Sequence, residues 1–237
     1  SHEHSGATLA YATARMTGRP AVCFTNPGPG ITNLATALLE ATCGSLPVIA
    51  LSNGVPLSTD GMGAFQELDS VALMRPVTKW ATRVVDPQTT PWVMQRAFSL
   101  AKNGRPGAVF IDLPSDIALQ YCSMPAYRPS IARHRSRPDP EVLAAAAQII
   151  SSAKQPVIVC GSGAVSADAG ASVIGLAQAL GGALFTTPGG RGTYPEDHPL
   201  CLGLYNPWSE NWYTDQTIHC MYPELGALCR YAVTCVF

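Results

Sequence analysis

Two segments, Pro47-Val48-Ile49-Ala50-Leu51 and Gly107-Ala108-Val109-Phe110-Ile111-Asp112-Leu113, are apolar almost without interruption. A strand with one wet face alternates polar and apolar residues. A strand that does not alternate is covered on both sides, as in the parallel sheets of α/β proteins. Ala21-Val22-Cys23-Phe24 is a shorter segment of the same kind. Helical periods separate these strands. Ala7 to Ala12 is a small-residue helix pattern that stops at Thr17-Gly18-Arg19-Pro20, where glycine and then proline end it. Ile31 to Thr42 sets Leu34, Ala37, Leu38 and Ala41 on one face, and Pro91 to Asn103 starts with proline. Strand and helix in this alternation predict an α/β fold built on a doubly wound parallel sheet.

The pattern breaks in a Pro/Arg-rich stretch from Met124 through Arg133, Arg135, Arg137 and Pro138, which reads as an exposed linker. A second α/β unit follows. It has an alanine-rich helix from Pro140 to Ser152, a strand Pro156–Cys160, a glycine turn Gly161-Ser162-Gly163, a helix Ala167–Leu180 and a strand Ala183–Thr187. The expected organisation is a first domain over residues 1–122, a linker over 123–138, and a partial, Rossmann-like α/β domain over 139–205. The tail, 206–237, is rich in Cys, Tyr and Trp without a period, and reads as a divergent end.

Composition excludes several classes. Apolar residues are 47% and charged residues 13%, far from a disordered chain. A formal net charge of −1 gives no electrostatic case for nucleic acid or an anionic membrane. No apolar run approaches the roughly 20 residues that span a bilayer. The cysteines (Cys23, Cys43, Cys122, Cys160, Cys201, Cys220, Cys229 and Cys235) form no Cys-x-x-Cys pair and no zinc spacing, so no metal ligands are assigned. The first four sit singly in apolar stretches, as small buried hydrophobes do, and a reducing cytoplasm is the expected compartment.

Three features carry candidate chemistry. Glu3 opens a helix, where a carboxylate caps and complements the helix dipole whether or not it is catalytic. Asn26-Pro27-Gly28-Pro29-Gly30-Ile31-Thr32-Asn33 links a strand to a helix. Its glycines admit close approach to the backbone, and the helix start offers free N–H groups. It lacks Gly-x-Gly-x-x-Gly spacing. Gly63-Ala64-Phe65-Gln66-Glu67 lies in a polar loop, and its Phe-Gln pair is either a pocket wall or loop packing.

The order of these segments is more specific than any one of them. His2-Glu3, Thr17-Gly18-Arg19-Pro20, Gly28-Pro29-Gly30-x-x-Asn33, Leu46-Pro47-Val48-Ile49-Ala50, Ala64-Phe65-Gln66-Glu67, Thr78-Lys79-Trp80 and Gly104-Arg105-Pro106-Gly107 through Asp116 follow one another. The series resembles the pyrimidine-binding domain of thiamine-diphosphate-dependent enzymes, in particular those of the acetolactate synthase type. The resemblance is dense from residue 2 to about 118. It continues more loosely to Gly203 through Gly189-Gly190-Arg191-Gly192-Thr193-Tyr194-Pro195-Glu196-Asp197-His198-Pro199.

The resemblance implies thiamine diphosphate as cofactor and a 2-oxo acid as substrate, with pyruvate decarboxylation and carboligation as the reaction. Related 2-oxo acid decarboxylases and carboligases, or a non-catalytic truncated module that pairs with a full subunit, are the alternatives. Glu3 matches the glutamate that bonds the cofactor's aminopyrimidine, which makes it the catalytic residue. Asn26, Gly28, Pro29, Gly30 and Asn33 match the cofactor-binding turn, with a helix cap as the other reading of Asn33. Phe65, Gln66 and Lys79 match the substrate pocket, although Lys79 also reads as a surface lysine. The resemblance further implies Mg2+, held by a carboxy-terminal domain whose Gly-Asp-Gly motif this sequence lacks, and a site shared between subunits of a homodimer or homotetramer. It leaves FAD open for the central domain, and it implies a first strand upstream of residue 2.

Overall fold

The computed structural model describes residues 2–123, 137–154 and 156–205, and the chain divides after Arg135 into two compact units. The first unit runs α1 (Glu3–Thr17), β1 (Ala21–Thr25), α2 (Pro29–Cys43), β2 (Val48–Gly54), α3 (Ser70–Met74), β3 (Trp80–Arg83), α4 (Thr90–Lys102), β4 (Ala108–Pro114) and α5 (Ser115–Ala118). Its four strands are all parallel, in the order β1-β2-β4-β3. Helices cover both faces, as the uninterrupted apolar strands require. On one face Ala7, Ala10 and Ala14 of α1 and Leu34, Leu38 and Ala41 of α2 pack on Val48, Ala50, Ala108 and Phe110. On the other, Val93, Ala97 and Ala101 of α4 pack on Ile49, Val109 and Ile111. The alanines keep the helices close to the sheet, and each large side chain buried this way contributes about 1.5–3 kcal/mol.

Gly18 ends α1 as expected. It adopts the left-handed conformation that a Cβ disfavours (φ 64°), and its N–H bonds the Ala14 carbonyl at 3.0 Å.

Several expectations are corrected. β1 is an edge strand with alternating burial, and Val22 and Phe24 remain 49% and 63% exposed rather than covered. β3 escaped the sequence reading because each of its residues is only partly buried and it ends on an arginine. Among the cysteines, Cys23 and Cys160 are buried, but Cys43 is exposed at the end of α2 and Cys122 is partly exposed.

The second unit runs α6 (Pro140–Ser151), β5 (Val157–Cys160), α7 (Ser162–Ala167), α8 (Gly170–Leu180), β6 (Ala183–Thr186) and β7 (Cys201–Leu204). Its strands are parallel in the order β5-β6-β7. The Gly161–Gly163 turn is instead the start of α7, with Gly161 as its N-cap. The single helix expected over Ala167–Leu180 is broken by Asp168, which takes a left-handed conformation (φ 53°) and separates α7 from α8. The strand β7 was not expected. Residues 124–136 of the expected linker and the whole 206–237 tail, with Cys220, Cys229 and Cys235, lie outside the described residues. No helix among the described residues is long and apolar enough to cross a membrane.

Candidate functional site

In an open parallel sheet, ligands bind beyond the carboxyl ends of the strands. The turn after β1 lies at that end, and α2 starts from it. Glu3, in the first turn of α1, is drawn to the same place. Asn33 Nδ2 donates to Glu3 Oε2 at 3.0 Å, across thirty positions of sequence. Asn33 therefore does not cap α2, which has no side-chain cap bond. It lies one helical turn after Pro29, so both face the same side. The Glu3 carboxyl is held below the usual carboxylate range, first by its own backbone N–H and then by Asn33. Glu3 thus presents an ionised carboxylate bonded to α2, and Asn26 and Pro29, where α2 begins, are exposed.

The glycines of this turn serve the protein's own packing. Gly28 is buried with φ 56°, and a Cβ there would lie 2.8 Å from both the Cβ and the carbonyl oxygen of Gln66. A Cβ on Gly30 would collide with Thr25 Oγ1. The close approach that the sequence suggested for a ligand is made by Gln66 and Thr25. Gln66 itself takes a left-handed conformation (φ 62°), unusual for a residue with a side chain. Phe65 beside it is 87% exposed. The structure so brings Gln66 against the turn after β1 and leaves the Phe65 ring in the open.

Hydrogen bonds within the chain hold the loop that carries this pair. The Glu67 carboxylate accepts the N–H groups of Gly61 (2.7 Å) and Ala64 (2.8 Å), and Asp116 accepts those of Leu57 (3.0 Å) and Ser58 (3.2 Å). The bonds from Ala64 and then Gly61 hold the Glu67 carboxyl below its ordinary value. A lowered folded-state pKa stabilises above the ordinary glutamate value of about 4.3, and the contribution is lost as pH falls through the lowered value. Amide-exchange protection at Gly61 and Ala64 will therefore be level from about pH 7 to 5 and be lost only as pH falls below the ordinary glutamate value of about 4.3. Protection that persists at the acid end would show that the carboxylate does not hold the loop.

Behind the turn, Thr25, Ser52, Asp112 and Arg83 form one register row across the four strands. Asp112 is fully buried. It accepts Arg83 Nε at 2.8 Å and Ser70 Oγ at 2.7 Å on the same oxygen, Oδ2. Arg83 also reaches Asp60 of the loop at 2.8 Å. Pro27, Gly28, Gln66, Ser70, Arg83 and Asp112 line a narrow crevice too tight to admit a water molecule. Sequence reasoning passed over this cluster, reading Asp112 only as part of an apolar strand. A carboxylate inside an otherwise apolar strand was the available signal, because a buried charge needs a partner.

Lys79 is not brought to this group. It stands at the amino end of β3, the opposite end of the sheet, where its Nζ donates to the carbonyls of Leu100 and Asn103 at the end of α4. A cation on the last carbonyls of a helix is a capping contact.

The chain matches the model of the thiamine pyrophosphate enzyme N-terminal TPP binding domain over residues 1–73. It matches that of the thiamine pyrophosphate enzyme central domain over residues 143–219. The chain belongs to the thiamine pyrophosphate enzyme family. Among its relatives, the probable acetolactate synthase large subunit of Methanocaldococcus jannaschii is 37% identical over 214 residues, covering 86% of this chain and 35% of the relative. An acetolactate synthase of Arthrospira platensis is 38% identical over 208 residues, covering 86% and 36%. The acetolactate synthase isozyme 1 large subunit of Escherichia coli K12 is 37% identical over 205 residues, covering 86% and 36%. The chain thus spans about a third of the length of the curated relatives it matches. Within this thiamine pyrophosphate enzyme chain, the first match takes in Glu3, the glycine turn, Phe65 and Gln66, but ends before Lys79, Arg83 and Asp112.

Proposed function

We propose that this chain supplies the pyrimidine-binding half of a thiamine-diphosphate site in a carboligase acting on 2-oxo acids, of the acetolactate synthase kind. The observation that carries the reading is the Glu3–Asn33 pair, which sets an ionised carboxylate beside the turn after β1. The residues fit the group. A carboxylate oriented by an amide suits a ring nitrogen that carries a proton, and Asn26 and Pro29, where α2 begins, are exposed. Thiamine diphosphate, when bound, supplies the electron sink for decarboxylation. Glu3 holds the proton balance at the ring, Asn33 fixes the direction of its carboxylate, and Gln66 bounds the substrate side. Related decarboxylases share most of these features, and the acetolactate-synthase relatives favour the carboligase.

Mg2+ has no ligand group among the described residues. We assign the cation and the diphosphate to another domain and, as part of the same reading, to a partner subunit of a homodimer or homotetramer. FAD, the remaining alternative for the second unit, is assigned no residues. A reducing cytoplasm is the compartment this reading expects.

The test compares the chain alone with the chain mixed with a relative's large subunit whose own matching glutamate has been changed to glutamine. With pyruvate, thiamine diphosphate and Mg2+, the chain alone will form no acetolactate and the mixture will. Turnover by the chain alone would contradict the shared half-site. An inactive mixture, with complex formation verified by co-elution, would contradict the carboligase reading.

A further inference from the structure

The register row and the loop meet at one side chain. Arg83 donates from Nε to Asp112, fixed in the sheet and also bonded by Ser70 at the start of α3. From NH1 it donates to Asp60, which belongs to the loop leading to Phe65 and Gln66. The Arg83 side chain is 17% exposed, that of Asp60 42% and that of Asp112 1%, so the inner bond is sheltered and the outer one faces solvent. The planar fork of arginine can serve two carboxylates in fixed directions at once, which lysine cannot. Arg83 and Asp112 also wall the crevice that Gly28 and Gln66 complete. The backbone of Gln66 is left-handed and lies against a position open only because Gly28 has no Cβ. Such a conformation persists where the surroundings over-determine it.

We infer that Arg83 is a positioning residue: by clasping Asp60 to the buried Asp112, it holds the Phe65–Gln66 loop against the Gly28 turn. The role this gives the loop, as the substrate-side wall of the site, rests on the proposed function. The clasp itself rests only on the bonds described above.

Asp60→Asn tests it, because the change cuts the outer bond and leaves Arg83 paired with the buried Asp112. In the 237-residue chain, amide exchange over residues 59–66 will rise about fivefold, the scale of one exposed ion pair. Exchange in β2 and β4, and the melting temperature, will stay at the parent's values. Asp60→Glu, which keeps the charge, will restore most of the protection. Unchanged exchange in Asp60→Asn overturns the clasp, as does an equal rise in Asp60→Glu. Because the readout uses no cofactor or substrate, failure of the carboligase reading would appear separately, in the acetolactate assay.

Discussion

Arg83→Met will destabilise the first unit by about 3 kcal/mol, because removing one partner of a buried ion pair leaves the other charge uncompensated. The side chain of Asp112 is 1% exposed, and of its two oxygens Oδ1 has no hydrogen-bond partner among the described residues. With Arg83 gone, Ser70 Oγ would be the one bond left to that carboxylate among those described here. Arg83 keeps some contact with solvent, which holds the loss to the lower end of the usual range for a buried pair. For a unit of this size the midpoint of thermal unfolding will fall by about 10 °C. Adding Asp112→Asn to Arg83→Met removes the stranded charge and keeps an acceptor for Ser70, so the double variant will recover much of the loss. If the single variant melts as the parent does, or the double variant melts lower still, the pair is not what holds the carboxyl end of the sheet together.

Glu3→Gln is the variant with the largest expected effect on the site. Glutamine keeps the length of the side chain and an oxygen for Asn33 Nδ2, so α1 and its contact with α2 will survive and the melt will move little. What is lost is the negative charge. A hydrogen bond to an ionised carboxylate is about twice as strong as a neutral one, and the bond to the aminopyrimidine would lose that assistance. Thiamine diphosphate will bind the variant about tenfold more weakly, or worse, by isothermal calorimetry. Equal affinity in parent and variant would remove Glu3 from the site and leave it as a helix-start carboxylate.

The strands the sequence revealed are those whose burial leaves no alternation. β2 and β4 are central and apolar up to their carboxyl ends, where Ser52 and Asp112 break the run and mark the site. β3 was hidden because an edge strand of four half-buried residues, with threonine and arginine among them, carries no period. The break at Asp168 was hidden for another reason, since alanine-rich sequence on both sides continues a helical pattern that a single left-handed residue interrupts.

In the site, Glu3 and the Gly28–Asn33 turn were legible from their order and resemblance. Their contact was not, because nothing local links positions so far apart in the chain. Lys79 shows the converse. The motif around it is visible, but the strand direction puts the lysine at the wrong end of the sheet for a substrate pocket in this unit. The Arg83–Asp112–Ser70 cluster is assembled from three separate elements, and only the charge inside an apolar strand announced it.

On the proposed function, the Glu3–Asn33 face receives the cofactor's aminopyrimidine. The most direct test is an amide NMR titration of the isotope-labelled chain with thiamine diphosphate. Saturable shifts will concentrate at Glu3, Gly28, Gly30, Asn33 and Gln66, and will be much weakened in Glu3→Gln. Shifts confined to the second unit, or the same shifts in Glu3→Gln as in the parent, would contradict that reading.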